Sequence, residues 1–448
     1  MSYIPFVIIL CAMVVIHEFG HFIVAKMLGI PAEVFSVGFG PRLFGFKLGE
    51  TDFRFSAIPL GGYVRFKGEN LEMIQGQSEG SHDEFLAHPG WKRLLVAFAG
   101  PVFNIVTAIL IPAAAILIGY QDDIINSQQV VLADVRPGSA VEQAGLQKGD
   151  RIISYHNKQN PTWQDLQDET TVRFDEEIPL IVERNGQRIN LKLTPRVEQI
   201  GNDKFGRVEL EPPVDHLRVD QVVASSPAEK AGMQVNDKIV ALNSVAIYSA
   251  SQLMRVTQAG EGKEILATVE RNHQRLDLRV TPVKDEQSGG SYKVGVRFSA
   301  PQLLVTIKTN SLATALQYGW NYNMRILRMS GVVFKQMFGG KRSVRDVLGG
   351  PVRIAKETSL AYEAGGWAYV IRLMGLLSLN LGIFNLLPIP VLDGGMILLI
   401  VVEWMLGLVG LSLTMNVRER FQQVGFVLVL LLMAFVIVND SVALFWRR

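Results

Sequence analysis

Three residues near the start of the chain, His17, Glu18 and His21, have the types and spacing of a metal-dependent hydrolytic site. Histidines at i and i+4 stand one turn apart on the same face of a helix, so both imidazoles can ligate one Zn²⁺. Glu18 between them is placed to take a proton from an attacking water. The flanks, IPFVIILCAMVVI before and FIVAKMLGI after, are apolar and together long enough to cross a membrane. Ionisable groups in hydrocarbon are costly unless they are paired, metal-bound or near water, and such a cluster reads first as a functional site. The plainer alternative is a helix whose polar residues pack against its neighbours.

A catalytic zinc site takes three protein ligands and leaves one position open. His82, His88, His156, His216 and His273 all fall in a loop or in the long central insert, away from membrane depth. The third ligand is therefore expected to be a carboxylate on another apolar segment. Asp393, in Asn385-Leu-Leu-Pro-Ile-Pro-Val-Leu-Asp-Gly-Gly395, is the best candidate. Pro388 and Pro390 remove backbone donors and break a helix at that point. Non-helical backbone at membrane depth is tolerated only where protein or a wet cavity surrounds it. Alone, this segment reads more simply as a helix end with a solvated Asp. Beside an HExxH pair that lacks a ligand, the metal reading becomes the stronger one.

These residues need elements to hold them. The chain has 448 residues, room for two to four domains, and 48% of them are hydrophobic. The apolar residues are concentrated in stretches, which points to membrane spans joined to soluble parts. A net charge of +2 and the lack of a basic stripe with interleaved aromatics exclude nucleic acid as a partner. The single cysteine, Cys11, excludes intrachain disulfides. The N-terminus carries no basic n-region or small-residue cleavage site, so the first segment is expected to remain as a span.

Four stretches are long and apolar enough to cross: Ile4 to Leu28, Leu94 to Tyr120, Trp367 to Leu387 and Val424 to Phe445. Met396 to Thr414 is either a fifth span or a helix at or partly below the membrane surface; Gly407 and Gly410 favour the second. Lys26, Lys92 and Arg93 flank the first loop, and Arg418 and Arg420 precede the last span, whereas Asp122 and Asp123 follow the second. By the positive-inside rule the first loop is cytoplasmic and the insert lies outside, with Arg447 and Arg448 as a weak opposing signal. The expectation is a polytopic α-helical membrane protein with about four transmembrane helices. Its parts are 1–28 (first helix), 29–93 (cytoplasmic-side loop), 94–120 (second helix), an outer insert, and 301–366 (interfacial or linker helices). They continue with 367–395 (third transmembrane segment), 396–423 (cytoplasmic-side segment) and 424–448 (fourth helix). Ser311 to Gly366 lies at the outer interface or packs on the insert.

The insert contains a repeat. SAVEQAGLQKGDRII from Ser139 matches SPAEKAGMQVNDKIV from Ser226, a constant offset of 87 residues. Each copy reads as a strand (Val130 to Val135; Val219 to Val223), a short helix opened by Ser, a turn with Asp and further alternating strands. Gly149 and Asn236 occupy one turn position, and both tolerate a left-handed backbone. The two modules, 121–212 and 213–300, resemble PDZ (α+β) domains in their bacterial, circularly permuted form. PDZ domains bind extended peptides at a sheet edge. Peptide tails are one candidate ligand; a spacer or steric gate without a ligand is the other reading.

HExxH in a first span and NxxPxPxLDG in a late span together resemble the site-2 protease family of intramembrane zinc metalloproteases. The resemblance covers essentially the whole chain. It implies a zinc metalloendopeptidase with His17, His21 and Asp393 as Zn²⁺ ligands and Glu18 as general acid/base. It implies that Asn385, with Pro388 and Pro390, holds substrate near the site. Gly38, Phe39 and Gly40 match the glycine-rich loop of the family's membrane-reentrant β-hairpin, and FGFKL and FRFSAI alternate around Gly49-Glu50 as a hairpin would. Gly100-Pro101 and Asn104 resemble a further family motif, for close helix packing. The implied substrates are single-span membrane proteins, such as an anti-sigma factor already cut on its outer side, and remnant signal peptides. The implied place is a bacterial inner membrane, with the modules periplasmic, the site nearer the cytoplasmic side, and lipid as solvent. The rival readings are a membrane-anchored PDZ scaffold with a non-catalytic metal site and a metal transporter.

Overall fold

The computed structural model describes residues 3–68, 84–200, 203–210, 217–285, 290–299, 304–347, 349–411 and 413–445. His82, His216, Arg447 and Arg448 lie outside them. The chain divides into two compact units, residues 1–120 with 308–448, and residues 121–307.

In the first unit, four helices are long and apolar enough to cross a membrane. They are α1 (Ile4–Met27), α2 (Gly90–Ile118), α4 (Pro351–Asn385) and Asn416–Val436 within α6 (Met415–Phe445). Two further long helices among the described residues are shorter or more polar, α3 (Leu312–Phe338) and α5 (Asp393–Leu408). At 1.5 Å per residue the 16 residues of α5 cover about 24 Å, short of the roughly 30 Å hydrocarbon core. The helix ends at a turn where Gly410 takes φ +73°.

Glycine sets the closeness of the helices. A Cβ on Gly20 of α1 would stand 2.6 Å from the Ala99 carbonyl oxygen of α2, and one on Gly382 of α4 would stand 2.9 Å from that of Pro101. Small residues allow this approach, which dispersion rather than hydrophobic exclusion rewards in lipid. α3 uses the same device, which its sequence did not reveal. It lies along α2 with Ala315, Gly319 and Asn323 inward at four-residue spacing, and Asn323 donates to the Ala108 carbonyl at 2.8 Å. Of the two placements left open for this stretch, neither includes that contact; an amide in a mixed apolar helix carries no label for its partner. α4 begins earlier than the apolar count indicates and kinks at Gly365 and Gly366, the latter at φ +62°.

Between α1 and α2 runs a folded ribbon of two long strands, β1 (Ala32–Leu48) and β2 (Thr51–Phe66), joined at Gly49-Glu50. The ribbon curls on itself. Val34 to Val37 pair with Arg65 to Gly62 on one side and with Asp52 to Phe55 on the other, while Phe44 to Leu48 pair with Phe55 to Thr51. The outermost segment exposes Leu43, Phe44, Phe46 and Leu48.

The second unit shows the repeat as geometry. In each module a fully buried aspartate accepts two hydrogen bonds at 2.7 Å from an arginine: Asp150 from Arg184, and Asp237 from Arg271. Ser139 and Ser226 cap the equivalent short helices, and Gly149 (φ +88°) and Asn236 (φ +75°) make the same left-handed turn. The copies differ at the first expected strand. Leu217–Val222 is a strand between Lys238–Leu242 and Val296–Ser299, whereas residues 130–135 make only an isolated bridge, Val131 to Arg151. The Val130 amide also donates to the Pro161 carbonyl at 3.4 Å, but among the described residues no strand like Val296–Ser299 pairs along this stretch.

Candidate metal centre

The local order of α1 brings His17 and His21 together. Their rings meet edge to face at 4.8 Å between centroids, and their Nε2 atoms lie 3.2 Å apart. Both residues are buried. α4 ends at Asn385 and the chain makes a non-helical turn before α5 begins at Asp393. That turn delivers the carboxylate to the imidazoles: Asp393 Oδ2 is 3.0 Å from His17 Nε2, and Oδ1 is 3.3 Å from His21 Nε2. Among the described residues these three form the one cluster of metal-ligating side chains.

The donor set fits zinc. Tetrahedral bonds of ~2.0–2.1 Å place neighbouring ligand atoms about 3.3 Å apart; here the two Nε2 atoms are 3.2 Å apart, and each has a different Asp393 oxygen beside it, Oδ2 at 3.0 Å from His17 and Oδ1 at 3.3 Å from His21. Asp393 Oδ2 is buried without a hydrogen-bond partner, as an oxygen reserved for a cation would be. The far sides of the rings are also held. His21 Nδ1 donates to the Val96 carbonyl at 2.7 Å, which leaves Nε2 as the free lone pair. The Asn104 side chain, fully buried, brings Nδ2 to 3.0 Å from His17 Nδ1, and Ser378 Oγ donates to the Asn104 backbone carbonyl at 3.0 Å. An imidazole that ligates through Nε2 carries its proton on Nδ1, so zinc ligation by His17 calls for the Asn104 amide turned over, with its oxygen in place of the Nδ2 that now faces the ring.

Gly100 of α2 faces this cluster. A Cβ at that position would stand 2.3 Å from His21 Nε2 and 2.8 Å from His17 Cε1. Glycine and asparagine in α2 thus touch the ligands themselves, a larger part than the helix packing expected from sequence. The signal was present in Asn104, a lone amide in an uncharged span.

Glu18 shares a cavity of about 410 Å³ with His17, His21, Asn385 and Asp393. The Val64 amide of β2 donates to Glu18 Oε2 at 3.0 Å and fixes its direction. Asn385 Nδ2 is 3.2 Å from His17 Nε2, at the mouth of the ligand set. Phe39 lines the cavity and stacks on Tyr63. Gly38 and Gly40 flank it at φ +92° and +88°, and a Cβ on Gly38 would meet the Ile58 carbonyl oxygen at 2.7 Å. Pro388 and Pro390 do not line the cavity; they shape the turn, and Pro390 packs beneath Gly425 of α6.

A helix-borne HExxH pair completed by a carboxylate from a broken neighbouring helix, on elements apolar enough to span a membrane, defines a membrane-embedded metallopeptidase. The model of Peptidase family M50 matches residues 5–432, and the chain belongs to that family, the site-2 type of zinc metalloendopeptidase. Over 98% of its length it is similar to the regulator of sigma E protease from Haemophilus influenzae (29% identical, covering 98% of that protein). It is also similar over 98% of its length to protease RseP from Yersinia pestis (28% identical, covering 98% of that protein). A solved PDZ domain of the SdrC-like protein from Listeria monocytogenes aligns with 20% of this chain and 93% of its own, at TM-score 0.18 and 14% identity.

Proposed function

We propose that this protein hydrolyses peptide bonds within transmembrane segments of single-span membrane proteins, with His17, His21 and Asp393 as zinc ligands. The observation that carries this reading is the convergence of two imidazole nitrogens and the Asp393 carboxylate, 3.0–3.3 Å apart, among apolar helices. Zinc, when bound, supplies Lewis acidity that polarises a peptide carbonyl and raises the acidity of water. Glu18, aimed by the Val64 amide, accepts the proton of the attacking water and returns it to the leaving amine. Asn385 donates toward the substrate backbone from 3.2 Å outside the ligand pair. A peptide bond in an intact helix is shielded by its own hydrogen bonds, so the substrate must unwind first. The ribbon edge that carries Val64 offers backbone groups to an extended strand beside Glu18.

The distribution of Lys and Arg supports a cytoplasmic-side loop and site, with PDZ-like modules in the periplasm of an inner-membrane protein. The modules then serve as a filter against substrates whose outer domain is still attached. The substrate class is an anti-sigma factor already shortened on its outer side, or a remnant signal peptide. The test is cleavage of purified single-span substrates, with and without a bulky outer domain, with a chelator control. Glu18→Gln should abolish cleavage and retain one zinc per chain. Normal turnover by that variant would falsify the mechanism.

A further inference from the structure

α5 carries two charged residues, Asp393 and Glu403. The first faces the imidazoles. The second accepts a hydrogen bond at Oε2 from Arg93 of α2 at 3.1 Å, and the same oxygen is ion-paired with Arg418 of α6 at 2.8 Å. Arg93 is buried at 6% exposure and also donates through Nε to the His88 carbonyl at 3.1 Å. One carboxylate therefore joins three helices, ten residues along α5 from the candidate ligand.

The rest of α5 has little to hold it in place. Its remaining residues, GGMILLIVVEWMLGL apart from Glu403, are apolar or glycine on every face. Between such a helix and lipid there is no hydrophobic force that prefers one rotation over another. Asp393, Met396, Ile400 and Glu403, spaced 3, 4 and 3 apart, form a single helical stripe, which meets the imidazoles of α1 at Asp393 and Arg93 of α2 at Glu403. Met396 lines the site cavity, and Ile400 is buried with its Cγ2 3.6 Å from where a Cβ on Gly90 would stand. Those two contacts are non-directional. The chain preceding Asp393 is a turn in which Val391, a β-branched residue, takes φ +78°, an arrangement that persists only where its surroundings hold it.

We propose that Glu403 is a positioning residue for the metal site: through Arg93 and Arg418 it sets the rotation and height of α5, and so places the Asp393 carboxylate against His17 and His21. The choice of α2 as anchor follows from the site. The same helix supplies Val96, the acceptor for His21, and Gly100, which touches both rings. Arg93 ties α5 to the element that already orients the histidines. Arg93 is buried and Glu403 only partly so; fixing register is the best-attested use of such ion pairs, and register is what the third ligand requires. The inference rests on His17, His21 and Asp393 being the zinc ligands.

The test uses the full-length protein in detergent. Zinc affinity is measured by competition with a chelator, coordination by the visible spectrum of the cobalt-substituted protein, and the fold by thermal unfolding in excess chelator. Wild type must bind one zinc and Asp393→Asn must lose tight binding; otherwise the ligand assignment fails, independently of Glu403. With that in hand, Glu403→Gln should weaken zinc binding at least about tenfold and change the cobalt spectrum, while metal-free unfolding stays within a few degrees of wild type. Arg93→Gln should match it, and Arg93→Lys, which keeps the charge, should recover much of the affinity. Wild-type affinity and spectrum in Glu403→Gln overturn the proposal. So does a fall in metal-free stability with unchanged affinity per folded molecule. Should Glu403→Gln not fold, Arg418→Gln, which leaves the Arg93 link intact, must show a smaller loss of the same kind; unchanged affinity there overturns the proposal equally.

Discussion

His17 and His21 are ligands only if their second nitrogens are occupied, and the structure supplies one partner for each: the Asn104 amide and the Val96 carbonyl. Outer partners of this kind set the tautomer and ring direction, and their loss costs ~10–100-fold in metal affinity. Gly100 constrains the same rings by contact. Gly100→Ala inserts a carbon 2.3 Å from His21 Nε2, so zinc affinity measured by chelator competition should fall by about 10–100-fold with the helices intact. At a second residue, Asp237 is fully buried beneath Arg271. Asp237→Ala removes both bonds from the partly exposed Arg271 and the one Asp237 accepts from the Gln234 amide, and should destabilise its module by about 1–3 kcal/mol. Faster hydrogen exchange across residues 238–242 and 265–271 in the full chain checks this. HExxH was legible at this scale because both histidines and the glutamate lie on one turn of one helix. Val96 was not, because a carbonyl oxygen has the same chemistry at every position.

Elements carry the next constraints. The helix Trp163–Val172 opens with a capping box: Thr162 accepts from the Asp165 amide, and the Asp165 carboxylate accepts from that of Thr162. Burial raises the Asp165 carboxyl, but the hydrogen bond from Lys158 and the cap outweigh it and hold the group below its ordinary value of 3.8. A depressed folded value means stabilisation that is present above pH 3.8 and lost as the pH falls through the folded value. Exchange protection of this helix should therefore decline in acid, and Asp165→Asn should flatten that dependence. The cap was readable as Thr-x-x-Asp ahead of an apolar residue. The length and curl of the β1–β2 ribbon were not. The alternation around Gly49-Glu50 marks a hairpin, but the second pairing of Val34 to Val37 joins residues whose patterns are each satisfied by one partner.

For the whole molecule, the spans and the charges beside them predict sidedness. With Cys11 replaced by Ala, single cysteines at positions 290 and 410 should react with a membrane-impermeant reagent on opposite faces of intact spheroplasts: 290 labelled from outside, 410 only after lysis. Labelling of both from outside would reverse the proposed orientation of the site. Four helices of sufficient length satisfy the composition that the sequence announced, because a bilayer imposes the same length and apolarity wherever the helix packs. α3 and α5 escaped that test. One is too polar and the other too short, and their places along α2 depend on Gly319, Asn323 and Glu403 meeting particular partners.

By itself the sequence determined which residues could form the site: two histidines and a glutamate on one helix turn, an aspartate after a proline-broken helix, and modules repeated at 87 residues. Each of these is written in local spacing, which helix geometry and turn chemistry translate directly. Only the tertiary structure decided that Asp393 reaches both imidazoles, that Gly100 and Asn104 close around them, and that Arg93 and Arg418 hold the Asp393 helix by its far end. Those contacts join residues as far apart in the sequence as His17 and Asp393. Directional contacts over such distances are set by how helices cross, and apolar surfaces in lipid leave that choice to a few small and polar side chains.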